Sequence, residues 1–443
     1  MVSRAVIMSK KFLFFIVLVV VSEMTATGFG VRIGQTFRRP LKILCVLGSF
    51  PLLPEIYVVN QLIGLIDRGH EVYIYANRKG QSIVHPAVEK YNLLKRAYYK
   101  ELPRDIHTYD IIICQFGPLG KNFVKIKKQL GLKAKIITCF RGYDISREIK
   151  SKGKHTYDSL FEEGDYFLPV CKYFKNILIK LGCPAHKIRV HHSAIDLQRF
   201  ALRSDRRSER NGVTANFDSM VSESFDSGVS ENFDSDVRDS FDSNVNKYDL
   251  NKHKEEKKIT IVSVNRLVPK KGTIYSILAI ISLLKKYPQI EYYVMGGGPL
   301  HDRLMSVIDR HGAADNIKLL GWGNHDDVLK LLHKADIFVL ASVTDNTGNE
   351  EGIPNCLKEA MSVGIPVVST YHAGIGELVK NGKTGFLVRC SSVTELAKRI
   401  EYLISHNREA TAMGLAAHDH VQEEYDTEKL NDQLVEIFYS LLD

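Results

Sequence analysis

Short apolar runs that end in glycine, proline or polar residues, and are followed by helical stretches, recur along this chain. The first complete unit is a strand over residues 41–47, a helix over about 55–68 and a second strand over 71–76. Consecutive strands joined through a helix lie parallel in one sheet, with a right-handed crossover. The sequence therefore predicts an α/β protein built on parallel sheets.

The strand and helix pattern occurs in two blocks, and 443 residues are more than one domain usually holds. We predict a first Rossmann-like domain over residues 41–200 and a second over residues 257–425. A carboxyl-terminal helix is predicted over residues 426–443. Further strands are predicted at residues 110–115, 134–140, 166–170, 259–264, 290–295 and 337–340.

The stretch between the two blocks, residues 201–256, breaks the pattern. Four octapeptides over residues 216–247 each contain Phe-Asp-Ser and then a valine three residues after the aspartate. One phenylalanine and one valine per repeat bury little apolar surface, and the period is too short for a solenoid. We predict a disordered insertion in the linker, expanded by repeat duplication.

The first forty residues are predicted to lie outside the fold. Lys10 and Lys11 precede an apolar run over residues 12–21 that is too short to span a bilayer comfortably. Basic residues before a short apolar run are typical of a signal peptide. Three interpretations stay open: a secretion signal, an amino-terminal membrane-surface anchor, or an over-long start with the true beginning near Leu41.

The net charge indicates the kind of partner, and the cysteine content limits the class of protein. There are 60 lysines and arginines against 51 acidic residues, a net charge of +9 that favours anionic partners. The seven cysteines form no C-x-x-C pair, which argues against zinc ribbons and a disulfide framework. A basic amphipathic helix over residues 121–130 is either a solvated face or a docking surface for anionic lipid head groups.

The run after the strand at residues 337–340 carries the main candidate site. A polar loop follows the strand, Pro354 interrupts it, and Asn355 is predicted to cap a helix over about residues 356–361. The amide groups at the start of a helix form a positive end that suits a diphosphate. The residues expected to supply them are Asn355, Cys356 and Leu357.

Two carboxylates flank this helix start. Glu351 lies in the loop and Glu359 lies in the helix, eight residues later. Carboxylates on either side of a bound diphosphate could accept hydrogen bonds from sugar hydroxyls. Glu350 competes with Glu351 for part of this role.

A second set of residues predicts an anion site nearby. Arg266 and Lys271 follow the strand at residues 259–264 and precede a helix, with Lys270 as an alternative to Lys271. Gly296 and Gly298, after the next strand, permit close backbone approach to a ligand or simply make a turn.

These motifs, taken together, resemble those of the retaining glycosyltransferases of group 1, carbohydrate-enzyme family 4. The subset that makes exopolysaccharides of the colanic acid or amylovoran type is the most similar. The residues that carry the resemblance are Ser49-Phe50-Pro51 with Glu55, Phe140-Arg141-Gly142-Tyr143-Asp144, Arg266 with Lys271-Gly272, Gly296-Gly297-Gly298-Pro299, and Glu351 with Glu359.

The resemblance implies the GT-B fold, in which two Rossmann-like domains with parallel sheets face a cleft. In this fold the last helix, here residues 426–443, often crosses back onto the first domain. In that family the donor lies on the carboxyl-terminal domain and the acceptor on the amino-terminal domain. Glu351 would hold hydroxyls of the donor sugar and Glu359 the ribose of the nucleotide. Arg266 and Lys271 would bind the donor diphosphate.

The resemblance also implies roles for a glycine in each half and for one arginine. Gly48 would lie in the first turn near the donor phosphates, and Gly296 and Gly298 would lie beside the nucleotide. Arg141 stands where many relatives carry a histidine. Because an arginine stays protonated, Arg141 cannot act as a base, and we expect it to stabilise phosphate charge instead.

We therefore expect transfer of a hexosyl unit from a nucleotide-sugar donor, with retention, to a saccharide or a polyprenyl-diphosphate-linked acceptor. We expect no metal, no other cofactor and no nucleic-acid partner. The expected location is cytoplasmic, with peripheral contact to the inner face of the cytoplasmic membrane left open.

Two other classes of protein are alternatives for this sequence. A nucleotide-dependent oxidoreductase would need G-x-G-x-x-G after the first strand, and Gly48 has no such companions. An exported sugar-binding protein without transferase activity would account for residues 12–21. It would not require the charged set Arg266, Lys271, Glu351 and Glu359.

Overall fold

Two parallel β-sheets of six strands each organise the chain. The computed structural model describes residues 38–52, 55–80, 85–204 and 258–443. The octapeptide repeats and nearly all of the amino-terminal extension lie outside the described residues, so the interpretations of those stretches stay predictions.

The first sheet has the strand order β3-β2-β1-β4-β5-β6. Its strands are β1 Lys42–Phe50, β2 Glu71–Lys79, β3 Ala97–Tyr99, β4 Ile111–Cys114, β5 Lys135–Phe140 and β6 Tyr166–Pro169. The helices of this half are α1 Ile56–Asp67, α2 Pro86–Lys90, α3 Gly117–Leu130, α4 Arg147–Lys152, α5 Asp158–Glu163 and α6 Lys172–Lys180.

The second sheet repeats this order as β9-β8-β7-β10-β11-β12. Its strands are β7 Ile259–Val264, β8 Ile290–Met295, β9 Ile317–Gly321, β10 Ile337–Leu340, β11 Val367–Thr370 and β12 Phe386–Val388. The helices are α7 Thr273–Leu284, α8 His301–Arg310, α9 His325–Lys334, α10 Asn355–Ser362, α11 Ile375–Leu378, α12 Val393–Ser405 and α13 Asn407–Glu424, followed by α14 Thr427–Leu442.

The predicted α/β class with parallel sheets is confirmed. Strands covered by helices on both faces are apolar throughout, and such runs are easy to find in a sequence. All four residues of β10 are buried, and β7, β8 and β10 begin and end where the sequence predicted.

The strand order also predicts where a ligand binds. In each sheet the direction of chain progression reverses beside the first strand, between β1 and β4 and between β7 and β10. Open parallel sheets bind ligands at such a reversal, beyond the carboxyl ends of the strands. The loops after β7 and β10 are the ones that carry the charged motifs.

One glycine does not lie where the sequence predicted. We expected β1 to end at Leu47 and Gly48 to lie in the turn, but β1 continues to Phe50. Strand β2 is longer too, so that Ser49 pairs with Arg78 and Phe50 with Lys79. This additional pairing between β1 and β2 keeps Gly48 inside β1, near the carboxyl end of the strand.

Two helix predictions also need correction. Helix α10 begins at Asn355 rather than after it, with Pro354 in the capping position and no side chain bonded to the first turn. Helix α13 was missed because its buried face is built largely from small residues. Gly414, for example, packs so closely that an added Cβ would lie 2.2 Å from the Gly364 carbonyl oxygen.

The chain passes between the two halves twice, and the two passages pair. The Ile195 amide donates to the Tyr425 carbonyl at 2.9 Å, and Ile195 forms a parallel bridge with Asp426. Helix α14 then packs on α1 in the first half, where Arg68 forms an ion pair with Asp432 at 2.7 Å.

None of the helices in the described part of the chain combines the length and the apolar character that a bilayer span requires.

Candidate active site

The loops after β7 and β10 bring a carboxylate and two lysines together. Glu351 Oε1 lies 2.9 Å from Lys270 Nζ, and Glu351 Oε2 lies 3.0 Å from Lys271 Nζ. All three side chains are about nine-tenths buried. Lys270, which the sequence offered only as an alternative, is therefore an equal partner of Glu351.

The two lysines keep Glu351 ionised. Burial acts to raise the pKa of Glu351, but the charges of Lys271 and Lys270 outweigh it and lower the pKa to about 2. Burial lowers the pKa of Lys270. Burial acts in the same direction on Lys271, yet there the charge of Glu351 prevails and the pKa is raised.

Glu351 is held in place but keeps hydrogen-bonding capacity. Its backbone N–H donates to His372 Nε2 at 3.1 Å, and burial lowers the pKa of His372, which favours the neutral imidazole that accepts this bond. Although Lys270 Nζ is close to Oε1, no hydrogen bond of acceptable geometry reaches this buried oxygen. Oε1 can therefore accept a hydrogen bond from a ligand.

The start of α10 lies between the two glutamates. No side chain of the described residues bonds its first turn, so the amides of Asn355, Cys356 and Leu357 are at an open helix end. Glu359, one turn further, is 9% exposed, and its carboxylate has no hydrogen-bond or ion-pair partner among the described residues. Burial raises its pKa to about 7, opposed by the charges of Lys358, Lys271 and Arg199.

Glu359 lines a cleft that both halves of the molecule form. Asn60 and His85 border it from the first half, and His325 borders it from α9. His325 Nε2 is buried without a hydrogen-bond partner, and the His325 ring packs edge-on against His85 at 5.3 Å. A buried carboxylate and a buried ring nitrogen, both without partners among the described residues, line one cavity and are available to bond a ligand.

Arg199 crosses one side of this cleft. Its guanidinium bonds His85 Nε2 at 2.8 Å and forms an ion pair with Asp326 at 2.7 Å. His85, Arg199 and His325 were not among the predicted site residues, because they lie far apart in the chain and no charged motif marks them.

The Arg266 side chain extends from the end of β7 into solvent and forms no hydrogen bond or ion pair with the described residues. Its backbone is packed by the glycine turn after β8. A Cβ on Gly296 would lie 2.0 Å from the Asn265 carbonyl oxygen, and one on Gly298 would lie 2.6 Å from that of Leu267. Both glycines also have positive φ, 136° and 155°. Only glycine fits this turn against the Arg266 backbone.

Arg141 lies across the cleft, on the first half. Its guanidinium bonds Gln115 Oε1 from Nε at 3.0 Å and Ser193 Oγ from Nη1 at 2.8 Å. It also stacks on the Tyr57 ring at 4.4 Å. Burial raises the pKa of Glu55 to about 7. The charges of Arg141, from the first half, and of Arg266, from the second half, oppose this rise.

The structure thus gathers most of the predicted site residues on the second half, at the reversal of its sheet. These are Arg266, Lys271, Glu351, Asn355, Cys356, Leu357, Glu359, Gly296 and Gly298. Arg141 belongs to the first half, and Gly48 lies in a strand rather than a turn. Within the described ranges, no three His, Cys, Asp or Glu side chains form a group able to hold a metal ion.

Comparison with known proteins identifies the class. Residues 246–420 match the family model described as glycosyl transferases group 1, and residues 54–199 match the model for Glycosyltransferase Family 4. WcaL of Salmonella typhimurium, a glycosyltransferase assigned to colanic acid biosynthesis, is 30% identical over 90% of this chain and 100% of WcaL. The amylovoran biosynthesis glycosyltransferase AmsK of Erwinia amylovora is 28% identical over the same shares.

A solved structure agrees with the fold. HepE (Alr3699) of Anabaena in complex with UDP superposes with a TM-score of 0.68 at 17% identity, covering 90% of this chain and 100% of HepE. Its complex with UDP-glucose gives a TM-score of 0.66.

Two parallel sheets of this strand order, with both family models matched, make the protein a glycosyltransferase of the GT-B fold. The chain belongs to the group 1 glycosyltransferases of family 4. The resemblance drawn from the sequence motifs is confirmed. Membership of this family does not favour the alternative of a sugar-binding protein without transferase activity.

Proposed function

We propose that the protein transfers a hexosyl unit from a nucleoside-diphosphate sugar to a saccharide or polyprenyl-diphosphate-linked acceptor, with retention of anomeric configuration. The observation that carries the proposal is the buried Lys270–Glu351–Lys271 cluster beside the uncapped start of α10. The UDP and UDP-glucose complexes of HepE support a donor of this class.

Charge supports binding of a diphosphate. Lys270, Lys271 and Arg266 are three cations against the one carboxylate of Glu351, which leaves two positive charges. A sugar diphosphate diester carries two negative charges, and the positive end of α10 adds to the attraction. The same groups would stabilise the charge that grows on the departing nucleoside diphosphate.

The two glutamates have different environments that suit different hydroxyl groups. Glu351 is ionised, and its Oε1 can accept a hydrogen bond from the donor sugar. Glu359 faces the cleft with its carboxylate unpartnered, which suits the vicinal hydroxyls of a ribose. The base would then lie near His325, whose buried Nε2 can exchange a hydrogen bond with it.

We infer a front-face reaction. The bond from the anomeric carbon to the phosphate oxygen breaks, and the acceptor oxygen bonds that carbon on the same face. The acceptor proton passes to the departing phosphate oxygen. Glu351 is a poor covalent nucleophile because its carboxylate is held between two lysines and its pKa is about 2.

The pathway proposed for this chain is surface polysaccharide synthesis. The support is that WcaL and AmsK, which it matches over their whole length, carry the names of colanic acid and amylovoran biosynthesis glycosyltransferases.

The test compares two lysine–glutamate pairs of the same half. Glu351→Ala and Lys271→Ala are each expected to lower transfer from a nucleotide sugar by at least about 100-fold. Lys271→Ala removes positive charge that stabilises the departing diphosphate, and Glu351→Ala removes the acceptor of the sugar hydroxyl and the partner of both buried lysines. Lys286 and Glu401 form a more exposed ion pair, with Nζ 2.7 Å from Oε1. Lys286→Ala and Glu401→Ala should each leave transfer unchanged. A panel of nucleotide sugars in a melting assay selects the donor.

Proton NMR of the product then gives the anomeric configuration. An inverted product would refute the front-face route. Full activity of Glu351→Ala in a folded variant would refute the role given to the cluster.

A further inference from the structure

The first turn of α6 is held by a carboxylate from the other half of the molecule. Glu377 Oε2 accepts from the Lys172 amide at 2.8 Å, and Glu377 Oε1 accepts from the Tyr173 amide at 2.9 Å. The capping residue of α6 itself, Cys171, makes no such bond. Two otherwise free amides of a first-half helix are therefore satisfied by a side chain of α11 in the second half.

The same turn reaches the loop that carries Glu351. The Tyr173 hydroxyl donates to the Glu350 carboxylate, at 3.1 Å to Oε2 and 3.3 Å to Oε1. Thr344, at the start of the loop, donates to Glu350 Oε1 at 3.1 Å. Burial, and next the charge of Glu350, raise the pKa of Tyr173 to about 12, so the hydroxyl keeps its proton and donates.

Other first-half groups hold the loop along its length. The Glu350 amide donates to Ser146 Oγ at 3.2 Å, and Lys150 Nζ donates to the Asn346 carbonyl at 3.2 Å. An added Cβ on Gly352 would lie 2.8 Å from the Val170 side chain. The loop from Thr344 to Gly352 is therefore anchored to the first half on both sides of Glu351.

We propose that Tyr173 and Glu377 are positioning residues for donor binding, acting through Glu350 on the adjacent Glu351. Tyr173 holds the Glu351 loop, and Glu377 holds the helix that presents Tyr173. Contact between the two halves thereby completes the donor site, which is built almost entirely on the second half. This inference rests on the proposed function, and it gives Glu350 a role distinct from that of Glu351.

Steady-state kinetics tests the path through Glu350. Tyr173→Phe is expected to raise the donor KM about tenfold, because it removes a hydrogen bond to a charged group, and to leave the acceptor KM unchanged. In the Glu350→Ala background the same change should add less than about a twofold loss, because the partner is already absent. A loss of folded protein would instead lower kcat and leave both KM values unchanged.

The matched controls are Tyr98→Phe, at the far edge of the first sheet, and Glu377→Gln. Tyr98→Phe should have no effect. Glu377→Gln keeps one acceptor oxygen and should lose less donor affinity than Glu377→Ala. An unchanged donor KM in Tyr173→Phe, or equal losses with and without Glu350, would overturn the proposal.

Hydrogen exchange separates this inference from the proposed function. Amides of residues 345–352 should exchange faster in Tyr173→Phe than in wild type and Tyr98→Phe. If wild type transfers no sugar, the proposed function fails, whereas exchange still reports whether Tyr173 holds the loop. Unchanged exchange in an active enzyme would refute the positioning role alone.

Discussion

Two glutamates eight residues apart, both about nine-tenths buried, have opposite protonation behaviour. The pKa of Glu351 is lowered to about 2 and that of Glu359 is raised to about 7. Burial favours the neutral form of both, and only Glu351 has two lysines in direct contact. Burial also favours the neutral form of Lys358, and it lowers the pKa of this lysine to about 7.

The raised pKa of Glu359 makes donor binding depend on pH. Above pH 7 the carboxylate is ionised and accepts hydrogen bonds from ribose hydroxyls more strongly. UDP-glucose, whose diphosphate does not titrate in this range, should bind several-fold more tightly at pH 8 than at pH 6, at most about tenfold. Calorimetry on wild type and Glu359→Gln measures this, and the variant should bind weakly at both values.

The charged neighbours of Glu359 are Lys358, Lys271 and Arg199. Because Lys358 also titrates near pH 7, Lys358→Met is the control, and it should keep the pH dependence. An affinity that does not change with pH in either protein would contradict the role of Glu359. In the protein without donor, the free energy of unfolding depends on pH in the opposite direction to donor affinity. The folded state binds the extra proton, so the free energy of unfolding falls as pH rises from about 4.5 to 7.

At the scale of elements, the site depends on turns packed against backbone. The glycine turn after β8 supports the end of β7, and the uncapped α10 starts beside the loop after β10. These are the two strands that flank the reversal of the second sheet. Rigid strands thus place Lys271 and Glu351 in contact although 80 residues separate them in the sequence.

Gly296→Ala should disturb this arrangement. The variant combines a positive φ with a Cβ 2.0 Å from the Asn265 oxygen, so we expect a loss of about 3 kcal/mol in unfolding free energy and weaker donor binding. Gly312 has φ of 62° with nothing within 4 Å, so Gly312→Ala isolates the backbone term, about 1 kcal/mol. Urea titration measures both. Equal losses would show that the close contact is unimportant.

At the scale of the molecule, α14 joins the carboxyl terminus to the first half. Its residue Asn431 is 3% exposed and packs on Gly64 of α1, where an added Cβ would lie 2.0 Å from Asn431 Nδ2. Arg68 adds ion pairs to Asp432 and Glu428. Together with the pairing of Ile195 and Asp426, this contact holds the two halves at two separate places.

The packing of α14 on α1 can be tested by a paired substitution. Gly64→Ala should lower the unfolding free energy by about 2 kcal/mol, because the buried Asn431 side chain has little room to move. Adding Asn431→Ala removes the obstructing atoms and should restore most of the loss. Chemical denaturation of the single and double variants gives the coupling. Strictly additive losses would contradict direct packing.

Much of the fold could be predicted from sequence because parallel strands are buried on both faces. β10 is a continuous apolar run and β7 and β8 are mostly apolar, and the bounds of all three were predicted without error. Helix α13 was missed because small residues bury its face, and the extension of β1 past Gly48 depends on pairing with β2. Neither helix α13 nor the extension of β1 is marked by a pattern in the neighbouring residues.

The sequence alone determined the α/β class, the family and the charged residues offered for donor binding, because strand periodicity and motif spacing are local properties. The tertiary structure alone decided which charges meet. It paired Glu351 with both lysines and left the Glu359 carboxylate without a partner among the described residues. It also joined Glu350 to Tyr173 across 177 positions. The physical reason is that burial and charge act through distance in space, which the order of residues does not record.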